Sequence, residues 1–233
     1  MSIYAISDLH LSFNADKPMN IFGWGDYEKI IEKDWKEKVT DNDLVLLSGD
    51  FSWEMKLENT YKDFEFINKL PGKKILVKGN HDYWWNTLKK MREYIEEKNF
   101  DNIDFIYNNS YEFEDYIIVG ARGWSLLQPE TNIEENEKIK LREVNRLEMS
   151  IQDGIKKYGE DKKIIVCMHY PPFTKKNEET IFTNLIDKYN VEKCIYGHLH
   201  GKALEEVIEG KINKTEYIMT SCDYLKFQLK KIV

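Results

Sequence analysis

Short aliphatic runs that end at glycine, aspartate or histidine recur along the chain and alternate with longer amphipathic stretches, and this alternation constrains the fold more than any other feature. Leu44-Val-Leu-Leu47 before Ser48-Gly-Asp50 is the clearest case. A run of that kind suits a strand buried on both faces, while apolar residues at helical spacing between the runs suit helices laid over a sheet. The chain is therefore predicted to be an α/β protein. Strands are predicted over 2–7, 43–48, 73–77, 103–107, 115–120, 163–168 and 193–196. Beyond Gly201 the pattern turns strand-like around 203–208, 212–220 and 226–232, joined at Gly210 and near Asp223, which predicts antiparallel pairing and mixed sheets.

Four helices are expected. Tyr27, Ile30, Ile31 and Trp35 share a helical face behind an N-cap at Asp26, and Leu57, Tyr61, Phe64 and Ile67 share another. Trp84, Leu88, Met91 and Ile95 mark a third. The fourth is predicted over 132–158, opened by the capping box Thr131-Asn-Ile-Glu134, with Leu141, Val144, Leu147, Ile151 and Ile155 on one stripe. No repeat or linker divides the chain, so residues 1–233 are expected to form one domain.

The 34 basic residues are outnumbered by 41 acidic ones, giving a net charge of −7, and arginine occurs only at Arg92, Arg122, Arg142 and Arg146. The lysine doublets at 73, 89, 156, 162, 175 and 230 are scattered, so a track for long nucleic acid is not expected. Cys167, Cys194 and Cys222 contain no C-x-x-C pair, and no long apolar stretch suggests a membrane span. A soluble cytoplasmic protein is the expectation, with the oligomeric state open.

The five histidines, His10, His81, His169, His198 and His200, each follow a predicted strand within four residues. In open α/β sheets the ligand crevice lies outside the carboxyl ends of the strands, so these loops can converge despite their separation in sequence. With them stand Asp8 in Asp8-Leu-His10, Asp50 in Ser48-Gly-Asp50, Asn80 and Asp82 in Gly79-Asn-His-Asp82, and the closing Gly197-His-Leu-His200. Imidazole, carboxylate and amide oxygen together are metal-ligand chemistry. In Asp8-x-His10 and His198-x-His200, an extended backbone would send alternate side chains to one side, offering two ligands each. Gly49, Gly79 and Gly197 precede the ligands, where backbone must approach closely.

These blocks, in this order from residue 8 to residue 200, closely resemble the calcineurin-like metallophosphoesterases. The resemblance implies a four-layer α/β/β/α sandwich of two mixed β-sheets flanked by helices, with two divalent transition-metal ions at the strand ends. It assigns Asp8, His10, Asp50 and His200 to one ion and Asp50, Asn80, His169 and His198 to the other, with Asp50 as the bridge. Manganese, iron, zinc, nickel and cobalt all suit nitrogen and oxygen donors without thiolate. Such a site hydrolyses a small phosphoester by in-line attack of a metal-bridging hydroxide. His81 is then the residue that stabilises or protonates the leaving-group oxygen, and Asp82 the one that orients its imidazole.

Where many family phosphatases continue the second block with an acidic or arginine residue, this chain reads Asp50-Phe-Ser-Trp53-Glu54, which puts an arginine clamp on a terminal phosphate in doubt. Arg122 is the arginine placed to reach the site. Trp24, Trp53, Trp84, Trp85 and Trp124 lie near site loops, and Trp53 is the candidate for stacking on a substrate ring, although core packing explains each alone as well. A diester or nucleotide-like phosphate is the expected substrate. The alternatives are a generic phosphomonoesterase, a binuclear amide hydrolase and a non-catalytic scaffold of the same fold.

Overall fold

The computed structural model describes residues 1–15, 17–126, 132–174 and 178–233. Along the chain run β1 (Ile3–Ala5), α1 (Tyr27–Lys38), β2 (Leu44–Leu47), α2 (Tyr61–Asn68), β3 (Lys73–Val77), α3 (Leu88–Glu97), β4 (Ile103–Ile106), β5 (Tyr111–Phe113), β6 (Tyr116–Ala121), α4 (Ile133–Tyr158), β7 (Lys163–Met168), α5 (Ile181–Lys188), β8 (Lys193–Tyr196), β9 (Gly210–Ile212), β10 (Thr215–Met219) and β11 (Lys230–Lys231). They form two sheets, ordered β11-β1-β2-β3-β4 and β5-β6-β7-β8-β10-β9. Pairing is parallel through each sheet centre and antiparallel at three edges, where β11 meets β1, β5 meets β6 and β9 meets β10.

Alternation along the strands sorts their side chains into three cores. Ile3, Ala5, Leu44, Leu46, Ile75 and Val77 from the first sheet pack against Ile118, Ile165, Cys167, Ile195 and Ile218 from the second, so the sheets lie face to face. The outer face of the first sheet is covered by helices through Ile31, Trp35, Phe64, Ile67 and Met91, and that of the second through Leu147, Ile151, Phe182 and Ile186. This is the four-layer α/β/β/α sandwich.

Several local expectations are corrected. Residues Gly201–Glu206 form a 3-10 helix rather than a strand, Gly210 lies inside β9, and β11 is only two residues long. Trp84 precedes α3 in a loop, where its buried indole packs on Phe64 at 5.3 Å, so its helical spacing is coincidental. Leu141 and Ile30 are exposed, whereas α4 buries Glu143 completely. Helix α4 begins behind Asn132, and Thr131 of the predicted capping box lies outside the described residues, as does the Lys175 doublet. No helix among the described residues is long and apolar enough to cross a membrane.

Candidate metal centre

Strand direction decides the place of the site. Asp8 follows β1, Asp50 follows β2, Asn80 and His81 follow β3, His169 follows β7, and His198 and His200 follow β8, so the loops meet at one rim of the sandwich, bounded by the carboxyl ends of both sheets. The backbone there is extended at His200 but not at most of the other ligands. Asp8, His10, Asp50 and His198 all have left-handed φ, at 58°, 44°, 51° and 75°. Each such residue costs on the order of 1–3 kcal/mol and persists because its surroundings hold it. The side chains therefore converge through tight left-handed turns, not through strand-like alternation. A Cβ at Gly79 would lie 2.1 Å from Asp50 Oδ1, and one at Gly197 2.2 Å from Asp8 Oδ2, so these two glycines let neighbouring loops touch the carboxylates.

Donor atoms of Asp8, His10 and His200 fall within 4.8 Å of one another, and those of Asp8, Asp50 and His169 do likewise. The buried Asp8 carboxylate is held by Ser7 Oγ at 2.5 Å, Ser221 Oγ at 3.0 Å and the His198 N–H at 3.1 Å, with His200 Nε2 at 3.1 Å. Asp50 Oδ1 accepts the His81 N–H at 2.8 Å, while Oδ2 stands 3.7 Å from His10 Nε2 and 3.5 Å from His169 Nε2. His169 Nε2 also faces Asn80 Oδ1 at 2.7 Å and His198 Nδ1 at 3.2 Å. All seven predicted ligands are thus assembled.

Their second partners differ. His169 Nδ1 meets the Ser48 carbonyl at 3.0 Å and His200 Nδ1 meets Asp223 at 2.8 Å, the usual way an imidazole ligand is oriented. His10 Nδ1 is buried with no hydrogen-bond partner among the described residues, and its ring is stacked instead on Trp53, at 4.6 Å and 23°. Asp223 and the ring of Tyr170, 4.2 Å from His198, belong to the site and escaped the sequence reading. Asp223 follows β10 as the other candidates follow their strands, but a turn was sufficient reason for an aspartate there.

Burial pulls His10 down to about 3, with His200 and His81 adding to it, and His198 down to about 4. Burial likewise holds His169 well below its ordinary value. These rings are neutral, with lone pairs to offer. Burial also lowers His200, but Asp8 and Asp223 outweigh it and bring the ring up to about 10. Burial, then Asp82 and Asp8, push Asp50 well above the carboxylate range, while Asp8 is held below it because the charge and hydrogen bond of His200 outweigh its burial. A neutral imidazole, a second imidazole, an amide oxygen and a carboxylate pointing at one another leave acceptors facing acceptors. Divalent cations fit this donor set, satisfying the lone pairs and the buried charge together.

A family model described as calcineurin-like phosphoesterase matches residues 1–202. The chain belongs to the calcineurin-like phosphoesterases. Among solved structures, TT1561 of Thermus thermophilus aligns over 98% of this chain and 96% of its own, at 15% identity and a TM-score of 0.55. A second aligns over 99% and 97%, at 16% identity and 0.55; likenesses at this identity show the fold alone. AQ665 from Aquifex aeolicus aligns over 99% and 95%, at 20% identity and a TM-score of 0.49. No curated protein matches the sequence.

In this calcineurin-like phosphoesterase the remaining predicted residues divide sharply. His81 lies at the site, half-buried, with its ring 4.6 Å from Trp53 and 5.7 Å from His10, and burial lowers its pKa. Asp82 does not orient it. Its carboxylate accepts the N–H groups of Gly79, Asp50, Phe51 and Ser52 and the indole of Trp84, at 2.7–3.3 Å, so every lone pair is engaged in tying two loops together. His81 Nδ1 has no hydrogen-bond partner among the described residues. Trp53 is engaged as well, stacking on His10 with Lys17 Nζ 5.0 Å from its ring, and so supports a candidate ligand rather than offering a bare face. The Arg122 guanidinium is directed to buried Glu143 at 3.5 Å and over Trp124 at 4.9 Å, while its carbonyl accepts the His169 and Tyr170 N–H groups. The residue therefore braces the His169 loop, and its charge is spent on Glu143.

Proposed function

We propose that the protein hydrolyses small phosphoesters with two divalent transition-metal ions, one held by Asp8, His10, Asp50 and His200 and the other by Asp50, Asn80, His169 and His198. The observation that carries the reading is the set of lone-pair donors facing one another around Asp50, whose Oδ2 stands 3.7 Å from His10 Nε2 and 3.5 Å from His169 Nε2. When bound, such ions supply Lewis acidity at phosphoryl oxygens and lower the pKa of water at the site.

The chain's own groups supply the rest. Ser7, Ser221 and the His198 amide fix Asp8, and the His81 amide fixes Asp50 Oδ1, which leaves Oδ2 directed between the two groups of histidines. Asp82 locks the loop that carries His81 onto the Asp50 loop. The His81 imidazole then places a proton at the leaving-group oxygen as the ester bond breaks, and the half-buried ring excludes water from one side of that oxygen.

A diester or nucleotide-like phosphate suits the site better than a dianionic monoester, because Arg122 is committed to Glu143 and supplies no grip on a terminal phosphate. Metal analysis of purified protein, with an activity screen over monoesters, diesters and cyclic nucleotides, tests both statements. Two ions per chain and metal-dependent ester hydrolysis are expected, and protein that binds ions yet cleaves no ester would be a scaffold. A kcat/KM for p-nitrophenyl phosphate more than about tenfold above that for bis-p-nitrophenyl phosphate would refute the diester preference.

A further inference from the structure

We propose that the cleft beside His10 and His200 is a leaving-group subsite for an uncharged planar aromatic ring, with Trp24, Phe22 and Met19 determining specificity. The inference rests on the phosphoesterase reading and adds the chemistry of the group that departs. The cavity measures about 470 Å³, within the range of small-molecule sites and more than a phosphoryl group alone requires. Its lining joins His10, His81, His200 and Asp223 to the apolar Met19, Phe22, Trp24 and Trp53, with Trp53 against His10 and His81 at 4.6 Å and Trp24 5.7 Å from His200.

No arginine is available to hold a second phosphate beside the tryptophans. Arg92 is paired with Asp104, while Arg122, Arg142 and Arg146 all reach Glu143, so no guanidinium lines the cleft. The cation at these rings is Lys17, an exposed side chain with Nζ 5.0 Å from the Trp53 ring, and an anionic group placed among the two indoles and Met19 would lose its hydration for that one solvent-screened partner. An uncharged ring loses nothing there.

The walls favour a plane over a chain. Trp24 is braced from behind by the edges of Tyr27 at 5.2 Å and Phe227 at 5.4 Å, and meets the ring of His200 at 5.7 Å. The 3-10 turn Met19–Phe22 is pinned to the Asp50 loop where the Trp53 indole donates to Met19 Sδ at 3.3 Å. From that turn Phe22 lines the cleft with 65% exposure, apolar surface that a bound ring would cover. Rigid flat surfaces reward a flat partner by stacking.

The test compares equilibrium binding of methylphosphonate, 1-naphthylmethylphosphonate and decylphosphonate to the manganese-loaded full chain, by calorimetry and tryptophan fluorescence. The naphthyl compound is expected to bind about tenfold to a hundredfold more tightly than the methyl one and to quench emission. Trp24→Ala should remove about tenfold of that preference, and Phe22→Ala, at an exposed position that folding does not need, should reduce it less. Equal affinity for the methyl and naphthyl compounds, a preference that survives Trp24→Ala, or tighter binding of decylphosphonate would each overturn the subsite while leaving the phosphoesterase reading intact. If no phosphonate binds and no p-nitrophenyl ester is cleaved with any metal, the phosphoesterase reading itself falls, and the subsite with it.

Discussion

On the His10 side of the site the neighbours are rings: Trp53 is stacked on the imidazole, Trp24 lies beyond it, and no arginine approaches. On the His169 side, three of the four arginines in the sequence converge on Glu143 Oε1, at 3.5, 3.6 and 2.9 Å from Arg122, Arg142 and Arg146. Each flank hides a carboxylate. Glu143, fully buried, has guanidiniums around it, whereas buried Asp63 is met by the hydroxyl of Ser52, the residue before Trp53, and by the Phe13 N–H at 3.1 Å. Burial therefore pushes Asp63 up to about 6. The two flanks balance charge differently: three guanidiniums meet a buried helix α4 glutamate on the His169 side, and aromatic rings pack against the imidazole on the His10 side.

The largest expected effect comes from removing the group between the flanks. Asp50→Asn should abolish binding of both ions in elemental analysis, while His10→Ala should release mainly the ion on the aromatic side; a single ion lost from Asp50→Asn would mean that Asp8, which is common to both donor groups, is the bridge. Glu143→Gln leaves three guanidiniums around a neutral amide and should cost about 3 kcal/mol of stability in chemical denaturation, with the metal site itself assembled. Should activity fall while stability holds, Arg122 would be the phosphate clamp after all.

His81→Gln should keep both ions and lower turnover by about a hundredfold or more, and by less for p-nitrophenyl esters, whose leaving group needs little protonation. Metal loss from that substitution would move His81 into the ligand set. Trp53→Leu removes the stacking that replaces a hydrogen bond at His10, and metal titration should show affinity at that position reduced by about tenfold. The smallest effect concerns Asp63. Its folded pKa, raised to about 6, lies above the unfolded value near 3.9, so its stabilising contribution is complete below about pH 4 and is lost as pH rises through about 6. Asp63→Asn should flatten that decline in denaturation midpoints, although Asp82, also pushed up to about 6 by burial, keeps part of the slope.

Much of the sandwich was legible because it depends on period. Aliphatic runs such as Leu44–Leu47 and Lys163–Met168 became the central parallel strands, and the α4 stripe from Leu147 onward became its buried face. The carboxy-terminal segment was not legible, since residues 203–208 read as strand-like while Gly201–Glu206 turns in a 3-10 helix, and Ala203, Leu204, Val207 and Ile208 pack against the second sheet's outer core. Trp84 likewise fell at helical spacing, yet the indole is claimed by Asp82, a contact that no local pattern contains.

At the site, residue type singled out the five histidines with Asp8, Asp50, Asn80 and Asp82 as metal-ligand chemistry after strands, and the family resemblance divided them into seven candidate ligands and His81. Second partners were beyond it. Asp223 and His200 are 23 residues apart, Arg122 and Glu143 21, and Ser221 and Asp8 213. By itself the sequence determined an α/β chain with mixed sheets and metal-ligand chemistry at its strand ends, since hydrophobic period and donor type are local properties. Only the tertiary structure decided that Asp82 binds backbone amides, that Arg122 faces Glu143 and that Trp53 supports His10, because a charge or a ring face is assigned by whichever partner is nearest in space.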